Sequence, residues 1–158
     1  MNRRHFFIIV APLCFAACGF HLKGTSLSNS RLQTLSLSIP NEENELANTI
    51  RTTLQQQNIT ISDSAAIHVR ISDIDHQRIR TAIGGSGNIR EIELYDSFRA
   101  EIEENGKVLG NQTFTSRSNI RYRSNTYLGS SQEEIETHQQ LARDNADKLV
   151  RYLNAVIR

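Results

Sequence analysis

The sequence predicts an α+β fold, a two-layer sandwich of one mixed, mostly antiparallel β-sheet with two α-helices packed on one face. Three observations lead there. Apolar residues alternate with polar ones in several separate runs, the period of half-buried strands. Two other segments repeat apolar residues at helical spacing. The order is strand, helix, strands, helix, which suits a meandering sheet carrying its helices on one side.

Residues 1–17 read as an export signal and are set apart from the fold. Arg3 and Arg4 supply its charge, and Phe6 to Phe15 its apolar stretch. That stretch is too short to span a hydrocarbon core of about 30 Å, and Pro12 interrupts it. Ala16 and Ala17 place two small residues directly before Cys18, which resembles a bacterial lipobox, with Phe15 where an aliphatic residue is usual. Cleavage there would discard Cys14 and leave Cys18 as the acylated N-terminus, bearing N-acyl and S-diacylglycerol lipid and no other cofactor. Each buried CH₂ contributes about 0.8 kcal/mol, so three chains anchor stably. Gly19, in place of aspartate after the cysteine, implies the outer membrane, with the chain on its periplasmic side.

Residues 18–31 read as a lipidated, polar tether, and 32–158 as a single domain. The 141 residues remaining from 158 after the signal suffice to bury roughly two-thirds of their unfolded surface. Loss of Arg3 and Arg4 leaves 16 basic against 17 acidic residues, so net charge points to no class of partner. Its distribution is uneven. No acid occurs from Asn105 to Gln132 or from His76 to Arg90, whereas acids cluster at Glu42–Glu45, Glu91–Glu104 and Glu133–Glu136.

Leu35, Leu37 and Ile39 alternate with serines and stop at Pro40, a first strand. Asn41 is placed to cap a helix with Glu42, Glu43 and Glu45 in its first turn, and Leu46, Ile50 and Leu54 form its stripe. Asn58 ends that helix, and Ile59 and Ile61 begin a second short strand. In the third, Ile67, Val69 and Ile71 alternate until Ser72–Asp73, where a bulge is predicted, and the strand continues through Arg78 and Arg80 to a glycine-rich loop.

A long hairpin follows, with Ile92, Leu94, Phe98, Ala100 and Ile102, then Phe114, Ile120 and Tyr122, all at even positions. A two-residue Asn105-Gly106 turn would set even residues against odd ones. A three-residue turn over Glu104–Gly106 keeps the apolar set on one face, pairing Ile102 with Val108 and Glu93 with Arg117. Tyr127–Ser131 reads as a connection, and Ser131 with Glu134 as a capping box. The last helix then carries Ile135, Ala142, Leu149, Leu153 and Val156.

No catalytic constellation is found, and the chain is not expected to be an enzyme. The carboxylate–histidine cluster Asp73-Ile74-Asp75-His76 would put both acids on one strand face and His76 on the other, so no metal site is expected. Gly84-Gly85-Ser86-Gly87 has neither dinucleotide nor P-loop spacing and is no nucleophile elbow. Scarce aromatics and an outer-membrane address argue against nucleic acid.

Cys18-Gly19-Phe20-His21-Leu22-Lys23-Gly24 resembles the mature start of the LptE family of LPS-assembly lipoproteins, also called rare lipoprotein B. The likeness extends through Leu46–Arg51, Asn58–Ile61, the hairpin and the closing Asp144–Leu153. The resemblance implies a non-enzymatic partner of the LptD β-barrel, forming a heterodimer in which the domain lies largely within the barrel lumen as a plug. It also implies help in assembling that barrel and in delivering lipopolysaccharide or lipooligosaccharide to the outer leaflet. A stand-alone periplasmic lipid-binding lipoprotein is the alternative, and would need an enclosed apolar pocket. Family members are described as contacting LPS through basic residues near the sheet loops. In this chain Arg78, Arg80 and Arg90 flank the glycine loop, and Arg117, Arg121 and Arg123 share a strand face. Because arginine pairs bidentately with phosphate, these six are the candidates for lipid A phosphates, expected to form one basic end or face.

Overall fold

A computed structural model describes residues 31–40, 45–83, 89–121 and 127–157, with the backbone path alone at 83, 89–90 and 127–130. Strands β1 (Thr34–Ser38), β2 (Thr60–Ile61), β3 (Ile67–Ile83), β4 (Ile89–Glu104) and β5 (Lys107–Arg121) form one sheet in the order β2-β1-β3-β4-β5. Helices α1 (Glu45–Gln56) and α2 (Tyr127–Val156) complete the domain. β1 runs parallel to β2 and to β3, and β3, β4 and β5 form an antiparallel meander. The parallel β1–β2 pair needs a crossover, which α1 supplies. The expected mixed sheet with two helices on one face is therefore what this chain builds.

The main core lies between the helices and that face. Leu46, Ile50 and Leu54 of α1 and Ala146, Leu149 and Leu153 of α2 meet Leu35, Val69, Phe98, Ala100 and Ile102 of the sheet. Asn58 ends α1 in a left-handed conformation (φ 60°), and Ile59 is buried although β2 begins only at Thr60. The proposed Asn41 cap lies outside the described residues.

The predicted bulge is present. Ser72 pairs with Arg99 and Asp75 with Ser97, so Asp73 and Ile74 together oppose Phe98, and Asp73 takes φ 51°. The extra residue inverts the alternation of β3. Ile67, Val69 and Ile71 face the helices before it. His76, Arg78 and Arg80 face them after it, opposite Asp96, Leu94 and Ile92.

The hairpin corrects the expected register. Asn105 (φ 52°) and Gly106 (φ 80°) are both left-handed, the signature of a two-residue type I′ turn. Glu104 pairs with Lys107 and Glu103 with Val108, after which a shift at Leu109 sets Ile102 against Gly110. A bulge beyond the turn thus restores the even-to-even pairing that a three-residue turn was invoked to provide. Glu93 consequently opposes Asn119, and Arg117 opposes Tyr95.

Helix α2 also begins earlier than expected. It starts at Tyr127, so Ser131 lies inside it and is no cap. Glu134 is held by Arg78 instead of reaching back, with Nε–Oε2 3.1 Å and Nη2–Oε1 3.2 Å. Ile135 lies outside the core at 50% exposure.

Candidate functional site

The sheet separates the candidate arginines. Arg117 and Arg121 stand on the helix-free face, beside Tyr95 and Glu91. The Arg117 guanidinium lies 5.2 Å from the Tyr95 ring centroid and 3.8 Å from a Glu93 oxygen, a diagonal contact. Arg121 is likewise 3.8 Å from Glu91. Both are strongly exposed, so these pairs contribute little, about 0–1 kcal/mol, and leave the arginines available. Hydrogen bonding with Thr115, then with Ser97, holds the Tyr95 phenol below its ordinary value.

Arg78 and Arg80 are carried by the bulge to the other face, where Arg78 is clasped by Glu134 of α2. The side chain of Arg90 and the whole of Arg123 lie outside the described residues. Among the described residues the arginines therefore occupy two faces rather than one.

The helix-free face is polar along its length. Ser36 meets His68 at 2.8 Å, Arg70 donates to Glu101 at 3.0 Å and Arg99 donates to Asn111 at 2.7 Å. Ile79 and Val108 are apolar exceptions at 45% and 53% exposure.

A second polar feature lies under α2. Asp96 occupies an even, helix-facing position in β4 and is 3% exposed. Burying a carboxylate requires compensating partners, and two elements, β3 and α2, provide them. His76 Nδ1 of β3 is 3.0 Å from Asp96 Oδ1. His138 Nδ1 of α2 is 3.0 and 3.1 Å from the two carboxylate oxygens. An ionised carboxylate only accepts hydrogen bonds, so both Nδ1 atoms donate. Asn145 Nδ2 donates to the Asp96 carbonyl at 3.0 Å, and Ser116 Oγ donates to Asn145 Oδ1 at 2.7 Å. Lys148 Nζ donates to Ser116 Oγ at 2.8 Å and to the Thr115 carbonyl. Thus His76 does not join Asp73 and Asp75. The bulge turns it towards Asp96, a residue the sequence reading passed over although it is the one charge among the even positions from Ile92 to Ile102.

Residues 32–153 match the model of the family described as LptE, lipopolysaccharide-assembly. The chain belongs to the LptE family. It is 26% identical over 151 residues to the LPS-assembly lipoprotein LptE of Photorhabdus laumondii, covering 93% of this chain and 82% of that protein. Its fold is similar to rare lipoprotein B of Shewanella oneidensis (TM-score 0.70, 23% identity, covering 77% of this chain and 94% of that one). It is also similar to a minor lipoprotein of Acinetobacter baumannii (TM-score 0.65, 21% identity, 78% and 92% covered). At those identities the two structures bear on the fold alone. The LptE match takes in both the helix-free face and the Asp96 cluster, since it runs from two residues before β1 into the last turn of α2.

Proposed function

We propose that this chain is a lipid-anchored partner of the LptD β-barrel, seated in its lumen, and that it assists barrel assembly and delivery of lipopolysaccharide to the outer leaflet. The observation that carries this reading is the LptE family match over residues 32–153, nearly the whole described domain. The helix-free face supports it. A sheet surface of arginine, glutamate, serine and asparagine suits a water-filled lumen, whereas a lipid-facing surface would be apolar. No helix among the described residues is long and apolar enough to cross a membrane. Residues 1–17 direct export, and acylated Cys18 holds the domain on the periplasmic side of the outer membrane. Arg117 and Arg121, at 65% and 85% side-chain exposure on the helix-free face, are open to anionic lipid headgroups, and no enzymatic step is assigned.

Affinity capture of the tagged full-length lipoprotein from detergent-solubilised outer membranes, with mass spectrometry, tests the reading. A stoichiometric large β-barrel protein is the expected companion. Recovery of the lipoprotein alone, or with lipid and no barrel, overturns the proposal in favour of an independent lipid binder.

A further inference from the structure

We infer that His76, Asp96 and His138 form a binding site for a divalent transition-metal ion of the zinc class, at the junction of β3, β4 and α2. The candidate ligand atoms all lie within 4.8 Å of one another, and both Nδ1 atoms already converge on one carboxylate at 3.0 Å. Around an ion bonded at about 2.0–2.2 Å, tetrahedral neighbours sit about 3.4 Å apart. Small side-chain movements therefore open the three groups around a common centre. The two imidazoles stand edge to face, with ring centroids 6.0 Å apart and planes at 84°, so neither ring covers the other's nitrogen.

Access matches the chemistry. Asp96 is the buried anchor at 5% side-chain exposure, His138 is 31% exposed and His76 49%. A cleft of about 330 Å³ bordered by Glu45, Leu46, Ile135 and Ala142 opens onto all three residues, leaving room for a further ligand such as water. On metal entry, two N–H···O hydrogen bonds are replaced by two metal–nitrogen bonds. Each Nδ1 proton passes to solvent, leaving the N–H bonding pair as the lone pair that binds the ion. A ring that began neutral takes one proton back from solvent at Nε2, so each ligand is a neutral imidazole. Asp96 supplies an anionic oxygen for the cation. Two imidazoles with one carboxylate select zinc, copper or nickel over magnesium or calcium, which prefer all-oxygen sites. The ion would tie three elements together.

The test uses the full-length lipoprotein in detergent after chelator treatment, titrated with Co²⁺ and then Zn²⁺ by calorimetry and visible absorption. One equivalent of Co²⁺ giving a ligand-field spectrum, displaced by one equivalent of Zn²⁺, is expected. H76Q and H138Q should each weaken binding by more than the roughly 10–100-fold that loss of an outer-shell partner costs. H68Q, a histidine on the opposite face, should leave it unchanged. Because His76 is half exposed, H76Q is expected to keep the circular dichroism of the parent. Absence of stoichiometric binding by the parent, or binding that survives in the H76Q/H138Q double variant, overturns the inference.

Discussion

The two halves of strand β3 obey different rules within one element. Up to Ile71 it is an interior strand, flanked by β1 and β4, and its inward residues Ile67, Val69 and Ile71 join the large core. Beyond the bulge its ladder partner is β4, and its inward residues are His76, Arg78 and Arg80. The apolar packing changes in step. The inner half shares a core reaching from Leu32 to Ile157, whereas the outer half rests on a cluster of Ile92, Leu94, Ile120 and Leu141. Between them lies the polar layer of Asp96, Asn145 and Ser116. The end of β1 leaves the outer half an edge among the described residues, the bulge gives it a charged inward face, and charged edges resist unwanted pairing with other strands. A charged outer half also suits the proposed seat in an aqueous lumen.

The sharpest way to break this contrast is to make the same cut in each half. Leu149→Ala in the inner core should cost about 2–5 kcal/mol, near the top of that range, because close neighbours on every side hinder collapse of the cavity. Leu94→Ala should fall near the bottom, because the outer cluster is small and bordered by chains that can relax. Urea unfolding of both variants measures this, and equal losses would show that the halves are equally packed. Asn145→Ala strikes the layer between them. It removes the side-chain hydrogen bond to the Asp96 carbonyl and the acceptor of Ser116 Oγ, so a loss of about 1–3 kcal/mol is expected by the same measurement.

Gly110 probes the inner half of the hairpin, where an added Cβ would meet the Tyr152 hydroxyl. Gly110→Ala should destabilise by about 1–3 kcal/mol through overpacking, and Tyr152→Phe should restore part of that in the double variant. The smallest effect is expected at Arg78. Its pair with Glu134 is partly exposed, so Arg78→Ala should cost less than about 1 kcal/mol, with thermal unfolding nearly unchanged. A larger loss would mean that the outer half depends on this clasp.

Much of the sheet was legible because its signals are local. Alternation at Ile67–Ile71 and Ile92–Ile102 marked the inward faces, and the slip at Ser72–Asp73 marked the bulge. Register was harder. Asn105-Gly106 announces a turn, but the shift at Leu109 is compensated across strands and leaves no local trace. The Asp96 cluster was hidden for a related reason. Its members are 20 and 42 residues apart from Asp96, and only carrying the bulge's inversion through to residue 76 would have turned His76 inward. The start of α2 was obscured by Gly129, Ser130 and Ser131, which suggest a connection. The arginines were found as a composition, but the face each occupies follows from the bulge.

The proposed seat in the barrel is tested most directly by photocrosslinking in intact cells, with a photoreactive residue replacing Thr113 or Asn119 on the helix-free face. Crosslinks from both positions to a single large β-barrel protein are expected. Crosslinks to none, with the lipoprotein folded and present in the outer membrane, would contradict a domain enclosed by a barrel.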